Sequence, residues 1–144
     1  MNEEPDPRLE SLLAALEPPY RSRGEAQVGR LLDRYGVPFV YEQPTLIYDR
    51  GRHHVWHPDF TLAGYNGMIV EYAGMVDVPD YAAGIRHKQR AYDANEIPAL
   101  FVHPQALTGP TWPERLYEKI DEAGGRALQK YSLSGRGGVT QSYQ

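Results

Sequence analysis

The sequence predicts an α/β domain with a central mixed sheet of four or five strands flanked by helices. Three observations lead there. Leucines and other apolar residues recur at helical spacing near both ends of the chain. Short β-prone runs broken by turn residues fill the middle. A strand, a helix and a further strand then follow in order between Met68 and Val102. At 144 residues the chain can enclose one substantial core, so residues 1–144 are read as a single domain.

Each element has its own signal. Asp6-Pro7 pairs an N-cap with a first helical proline. Leu9, Leu12, Leu13 and Leu16 follow at helical spacing, and Pro18-Pro19 closes a helical extension over residues 1–19. Ser22 with Glu25 three residues later is the capping-box pattern. Val28, Leu31, Leu32 and Tyr35 give that second helix a buried stripe, and Gly36 marks its stop. Residues 38–43 and 45–48 are β-prone and run into the turn Asp49-Arg50-Gly51-Arg52. Residues 54–62 are extended, with Pro58 indicating an edge or a bulge. Gly64-Tyr65-Asn66-Gly67 then turns the chain into Met68–Tyr72, and the whole stretch reads as a meander of three or four strands.

A helix from Pro79-Asp80 to Asn95 puts Tyr81, Ile85, Lys88 and Tyr92 on one face. The apolar residues 98–102 read as a buried strand reached by a right-handed crossover. Trp112 to Ala123 forms the last helix and Gly124-Gly125 stops it. Within a C-terminal region of residues 105–133, residues 127–133 are expected as an edge strand, and 134–144 as a flexible tail.

Composition removes several classes of function. Cysteine is absent, which excludes disulfides, thiolate zinc sites and cysteine nucleophiles. A net charge of -4 excludes a histone-like polycation but leaves room for a local basic stripe. The apolar runs are too short for a membrane span or a secretory core, so a soluble, cytoplasmic protein is expected.

Three acids stand out. Glu25 lies early in the second helix, Asp59 follows Pro58, and Glu71 interrupts the most apolar strand. Asp59 and Glu71 are separated by one turn, so their strands should be antiparallel neighbours. By alternation His57, Asp59 and Thr61 share one face, as do Ile69, Glu71 and Ala73. If the faces coincide, two carboxylates converge, which is costly unless a cation neutralises them. Oxygen-only ligation of this kind suits Mg²⁺.

The segments HPDFTL and IVEYAGM, a preceding helix with Glu25, a following helix with HKQRAY, and the strand PALFV together resemble the PD-(D/E)xK nuclease superfamily. The resemblance covers roughly residues 20–104. It implies a restriction-endonuclease-like αβββαβ core and hydrolysis of DNA phosphodiester bonds. It further implies Mg²⁺ or Mn²⁺ held by Asp59, Glu71 and Glu25. Position 73, where the pattern wants lysine, is Ala. Some members of the superfamily supply the lysine from the next helix, and Lys88 fits that variant. Arg50, Arg52, His54, Arg86 and Arg90 would then contact the DNA backbone. By analogy with small domains that cut both strands, the resemblance allows a homodimer.

Blander readings stand beside these. Glu25 is already explained by the capping box, Asp59 by a turn, and Lys88 by snorkelling to solvent. His57 lacks a second imidazole for a histidine metal site. Tyr41, Tyr48, Tyr72 and Tyr92 are expected as core aromatics with polar tips. A non-catalytic nucleic-acid-binding domain of the same fold is the main alternative, favoured by Ala73. A two-carboxylate glycosidase ranks lower, because the short loops leave little room for a sugar cleft.

Overall fold

The computed structural model describes residues 6–8 and 19–142, with side chains as far as residue 129. The leucine stripe of the predicted first helix falls on residues 9–18, outside the described residues. At its start, the Asp6 carboxylate accepts a hydrogen bond of 2.9 Å from the Arg8 amide.

Helix α1 spans Arg23–Arg34, capped by the Ser22 hydroxyl, which accepts from the Glu25 amide. The strands are β1 (Val40–Tyr41), β2 (Thr45–Asp49), β3 (Arg52–Trp56), β4 (Phe60–Leu62) and β5 (Met68–Tyr72). Helix α2 (Pro79–Ala94), strand β6 (Ala99–Val102) and helix α3 (Trp112–Ser142) complete the order. The central sheet has four strands in the order β1-β4-β5-β6. Its first three are antiparallel, while β5 and β6, joined through α2, run parallel.

The middle of the chain is not one continuous meander. Strands β2 and β3 leave the sheet as a separate hairpin. The break falls at Glu42, with φ at 53°, and at Pro44 just after it. Arg50 (φ 53°) and Gly51 (φ 76°) turn the hairpin, as a two-residue connection of matching twist requires. Alternation along β5 splits the core. Met68 and Val70 pack with Val28, Leu32, Leu116 and Ile120 of α1 and α3, while Ile69 packs with Ile47 of the hairpin and Ala91 and Tyr92 of α2. The result is a sheet with α1 and α3 on one face and α2 and the hairpin on the other.

Gly124-Gly125 does not stop the last helix, and no edge strand forms over 127–133. The helix continues to Ser142, through residues expected as tail. Gly124 is there for contact: a Cβ at that position would lie 2.4 Å from the Tyr65 ring. Among the described residues no helix is long and apolar enough to cross a membrane.

Candidate active site

The register Phe60↔Val70, extended by one step, puts Asp59 directly opposite Glu71. Residues so placed share a face, as the alternation predicted. Each carboxylate reaches across to the other strand's backbone. Glu71 Oε1 accepts from the Asp59 amide at 2.8 Å, and Asp59 Oδ2 accepts from the Tyr72 amide at 2.7 Å. Glu71 is 3% exposed in a strand otherwise made of Met, Ile, Val and Tyr. Burial of its charge is offset by three donors, because Oε2 also receives the Tyr92 hydroxyl and the Lys88 ammonium, each at 3.1 Å.

Lys88 therefore lies where its helix face placed it. Gly74 donates to the Tyr81 hydroxyl at 3.3 Å, and Tyr92 is fully buried, so both ends of that face rest on the sheet. Ala73 is itself fully buried. The positive group reaches Glu71 from α2 and not from the strand.

Glu25 comes from α1, on the opposite face. A Cβ at Gly24 would meet the Tyr72 ring at 2.1 Å, so only glycine lets the start of α1 press this close to the end of β5. The Glu25 carboxylate is held by the Ser22 hydroxyl at 2.8 Å and the Tyr41 hydroxyl at 2.7 Å. The cap thus uses the Ser22 side chain, not its amide. Burial lifts the Tyr41 and Tyr92 hydroxyls well above the usual tyrosine range, and the adjacent glutamates lift them further. Both phenols therefore remain donors.

Asp59 is the electrostatically stressed member. Burial pushes its carboxyl up to about 7, with the charges of Glu71 and Glu25 adding to the rise. The Tyr72 amide and Lys88 pull the other way. Asp59, Glu71 and Lys88 are thus joined by direct hydrogen bonds, and Glu25 acts on Asp59 only through its charge. Among the described residues, however, no three His, Asp or Glu side chains are arranged to hold a metal ion. The pair Asp59 and Glu71 is the available oxygen donor set.

Trp56, His57, Pro58, Glu71, Lys88 and Tyr92 line a cavity of about 240 Å³ in front of the pair. Trp56 had no signal in the sequence beyond its β-prone surroundings. Its ring packs edge-on against Tyr92 at 5.7 Å, which places the hairpin beside the site.

The basic residues divide differently from the expectation. Arg50 and Arg52 are exposed at the hairpin tip. His54 pairs in register with Ile47, on the inner side, and its Nε2 lies 3.2 Å from the Asp49 carbonyl oxygen. His53, one residue earlier, is the one on the outside. Arg86 lines a separate cavity with Ile85, Gln89, Phe101 and His103, on the other flank of α2 from the acids. Two residues along a helix is about 200° of rotation, which separates Arg86 and Arg90 from the Lys88 face. Arg90 is exposed.

No protein-family model matches the sequence, and no curated protein matches it significantly.

Proposed function

We propose that this protein is a Mg²⁺- or Mn²⁺-dependent nuclease of restriction-endonuclease-like fold that hydrolyses phosphodiester bonds in DNA. One observation carries the proposal: Asp59 and Glu71 face each other across two strands, with a helix-borne lysine on Glu71. Support also comes from the chain order α1-β1-β4-β5-α2-β6, which is the αβββαβ order once the β2–β3 hairpin is set aside as an insertion.

The donor set suits a hard cation. Mg²⁺ accepts one or two protein carboxylates and completes its shell with water and substrate phosphate oxygens. Asp59 and Glu71 would hold it, and Glu25, held by Ser22 and Tyr41, would add negative charge from behind. When bound, the ion would polarise the scissile phosphate and lower the pKa of a coordinated water. Lys88 remains half-exposed beside Glu71, placed to steady an attacking hydroxide or the charge that develops on phosphate. The Tyr92 hydroxyl fixes the orientation of Glu71, and Arg50 and Arg52 supply backbone contacts from the hairpin tip.

Nicking of supercoiled plasmid is the test. Wild type with Mg²⁺ or Mn²⁺ should nick, EDTA should stop it, and Asp59→Asn and Glu71→Gln should be inactive. Ala73 favours a second reading, a nucleic-acid-binding domain of this fold that has lost cleavage. A wild type that binds DNA, does not nick it, and shows no thermal shift with either metal would establish that reading instead.

A further inference from the structure

The β2–β3 hairpin has one face in the core and one in solvent. Ile47 is fully buried and Trp56 borders the acidic cavity, whereas Leu46, Tyr48 and Val55 are 63%, 53% and 59% exposed. The exposed residues form one surface. Leu46 is the cross-strand partner of Val55, and Tyr48 of His53, with the two rings edge to face at 5.1 Å. At the turn beyond them lies Arg50, with Arg52 following on the inner-face phase of His54, and neither makes an ion pair among the described residues. The one acid of the hairpin, Asp49, is occupied by His87 of α2 at 2.8 Å. An apolar, aromatic and basic strip thus stands out from a chain of net charge -4.

The strip is held rigidly. The Asn95 side chain clasps the backbone of Tyr48 from both sides, accepting from its amide at 2.9 Å and donating to its carbonyl at 2.9 Å. The residue that carries the exposed ring is therefore the one whose main chain is clamped. A surface fixed in this way loses little freedom when it binds.

We infer that this face is a platform for unpaired nucleotides of the strand whose scissile phosphate enters the site on the hairpin's inner side. This rests on the nuclease reading of the site and names the form of its substrate. The chemistry selects an unstacked strand over a closed duplex. Reading base edges in a groove calls for amide or guanidinium side chains, and the face itself offers only Leu46, Tyr48, His53 and Val55. Those side chains contact the flat faces of bases, which a duplex keeps stacked. Arg50, at the turn, would hold a phosphate of the same strand. The same hairpin serves both, because Trp56 at the end of β3 walls the cavity from the inner face while Val55 and Leu46 stand on the outer one.

The test is fluorescence anisotropy in EDTA with labelled single-stranded, overhang-bearing and blunt duplex oligonucleotides. Wild type should bind the first two more tightly than the blunt duplex. Tyr48→Ala should weaken binding to those two by about tenfold and leave blunt-duplex binding unchanged. Thermal melts and Leu46→Ser serve as checks, since both side chains are solvent-exposed and neither substitution should lower the melting temperature appreciably. Equal binding of all three oligonucleotides, or no effect of Tyr48→Ala, overturns the inference. So does a concentration-dependent dimer that Leu46→Ser dissociates, which would give the face to a second copy of the chain. A parallel nicking assay with Mg²⁺ separates the two readings. Nicking without strand preference leaves the nuclease standing and removes the platform, whereas strand-selective binding without nicking does the reverse.

Discussion

On the α1/α3 side of the sheet, Phe60, Leu62, Met68, Val70 and Val102 meet Val28, Leu32, Leu116 and Ile120, and the buried acid there, Glu25, is held at the helix start by Ser22 and Tyr41. On the α2 side, Ile69, Ala91, Tyr92 and Ile47 form a smaller cluster, and Glu71 and Lys88 lie beside it. The same five residues of β5 serve both sides by alternation. One side carries most of the apolar burial. That leaves the other able to accommodate Glu71, the more deeply buried of the two acids, which burial alone would disfavour.

The largest effect should come from damage to the apolar side. Phe60→Ala should cost about 3–5 kcal/mol in urea denaturation, with Mg²⁺ giving the surviving folded fraction its usual thermal shift. Loss of metal response at temperatures where the variant is still folded would mean that the two sides are not separable.

Next is Lys88→Ala, which should cut plasmid nicking by about 10²–10³-fold while metal binding is unchanged or tighter. Lys88→Arg should rescue poorly, because a planar fork does not replace a compact ammonium. Nicking by Lys88→Ala at the wild-type rate would remove the lysine from the mechanism.

Asp59 gives a pH signature. Its ordinary value is 3.8, and in the folded protein burial holds it at about 7. Between those values the folded state keeps a proton that the unfolded chain has released, so this group makes stability fall as pH rises from 4 to 7. Asp59→Asn removes that slope and should raise stability at pH 8 by about 2 kcal/mol, measured by urea melts across pH. Activity should disappear in the same variant. A variant no more stable than wild type at pH 8 would show that Asp59 is not stressed.

The smallest contrast lies in two adjacent glycines of α3. A Cβ at Gly125 would have nothing within 4 Å, so Gly125→Ala should gain about 0.5–1 kcal/mol of helix stability. Gly124→Ala drives a methyl into Tyr65 and should lose about 1 kcal/mol, read by the same melts.

These glycines mark where sequence pattern stops being informative. As a pair they look like a helix stop, whereas the Tyr65 ring, far earlier in the chain, accounts for the glycine at 124 within a continuing helix. The acidic pair was legible because period-two alternation and a short turn determine which residues face each other. Lys88 was legible because a lysine on the Tyr81–Ile85–Tyr92 face has few polar partners within reach. The separation of the hairpin was not, since it depends on a left-handed Glu42 and on what Ile47 finds to pack against. His53 and His54 could have been sorted by counting outward from the Arg50-Gly51 turn, given that Ile47 is the buried partner. Arg86, Lys88 and Arg90 read in sequence as one basic stripe, whereas helical rotation divides them between faces.

The carboxylates of Asp59 and Glu71 also serve as the last two acceptors of the β4–β5 ladder. Deuterium uptake at the Asp59 and Tyr72 amides therefore reports on the site directly. In the unliganded protein both amides should exchange more slowly than their position past the paired residues would suggest. A cation drawing the carboxylate oxygens toward itself would weaken two backbone hydrogen bonds and speed that exchange. A one-residue slip of β4 against β5 would do the same and also turn the acids to opposite faces. The strand pairing and the acidic pair consequently share a single register, and two amide resonances are enough to follow both.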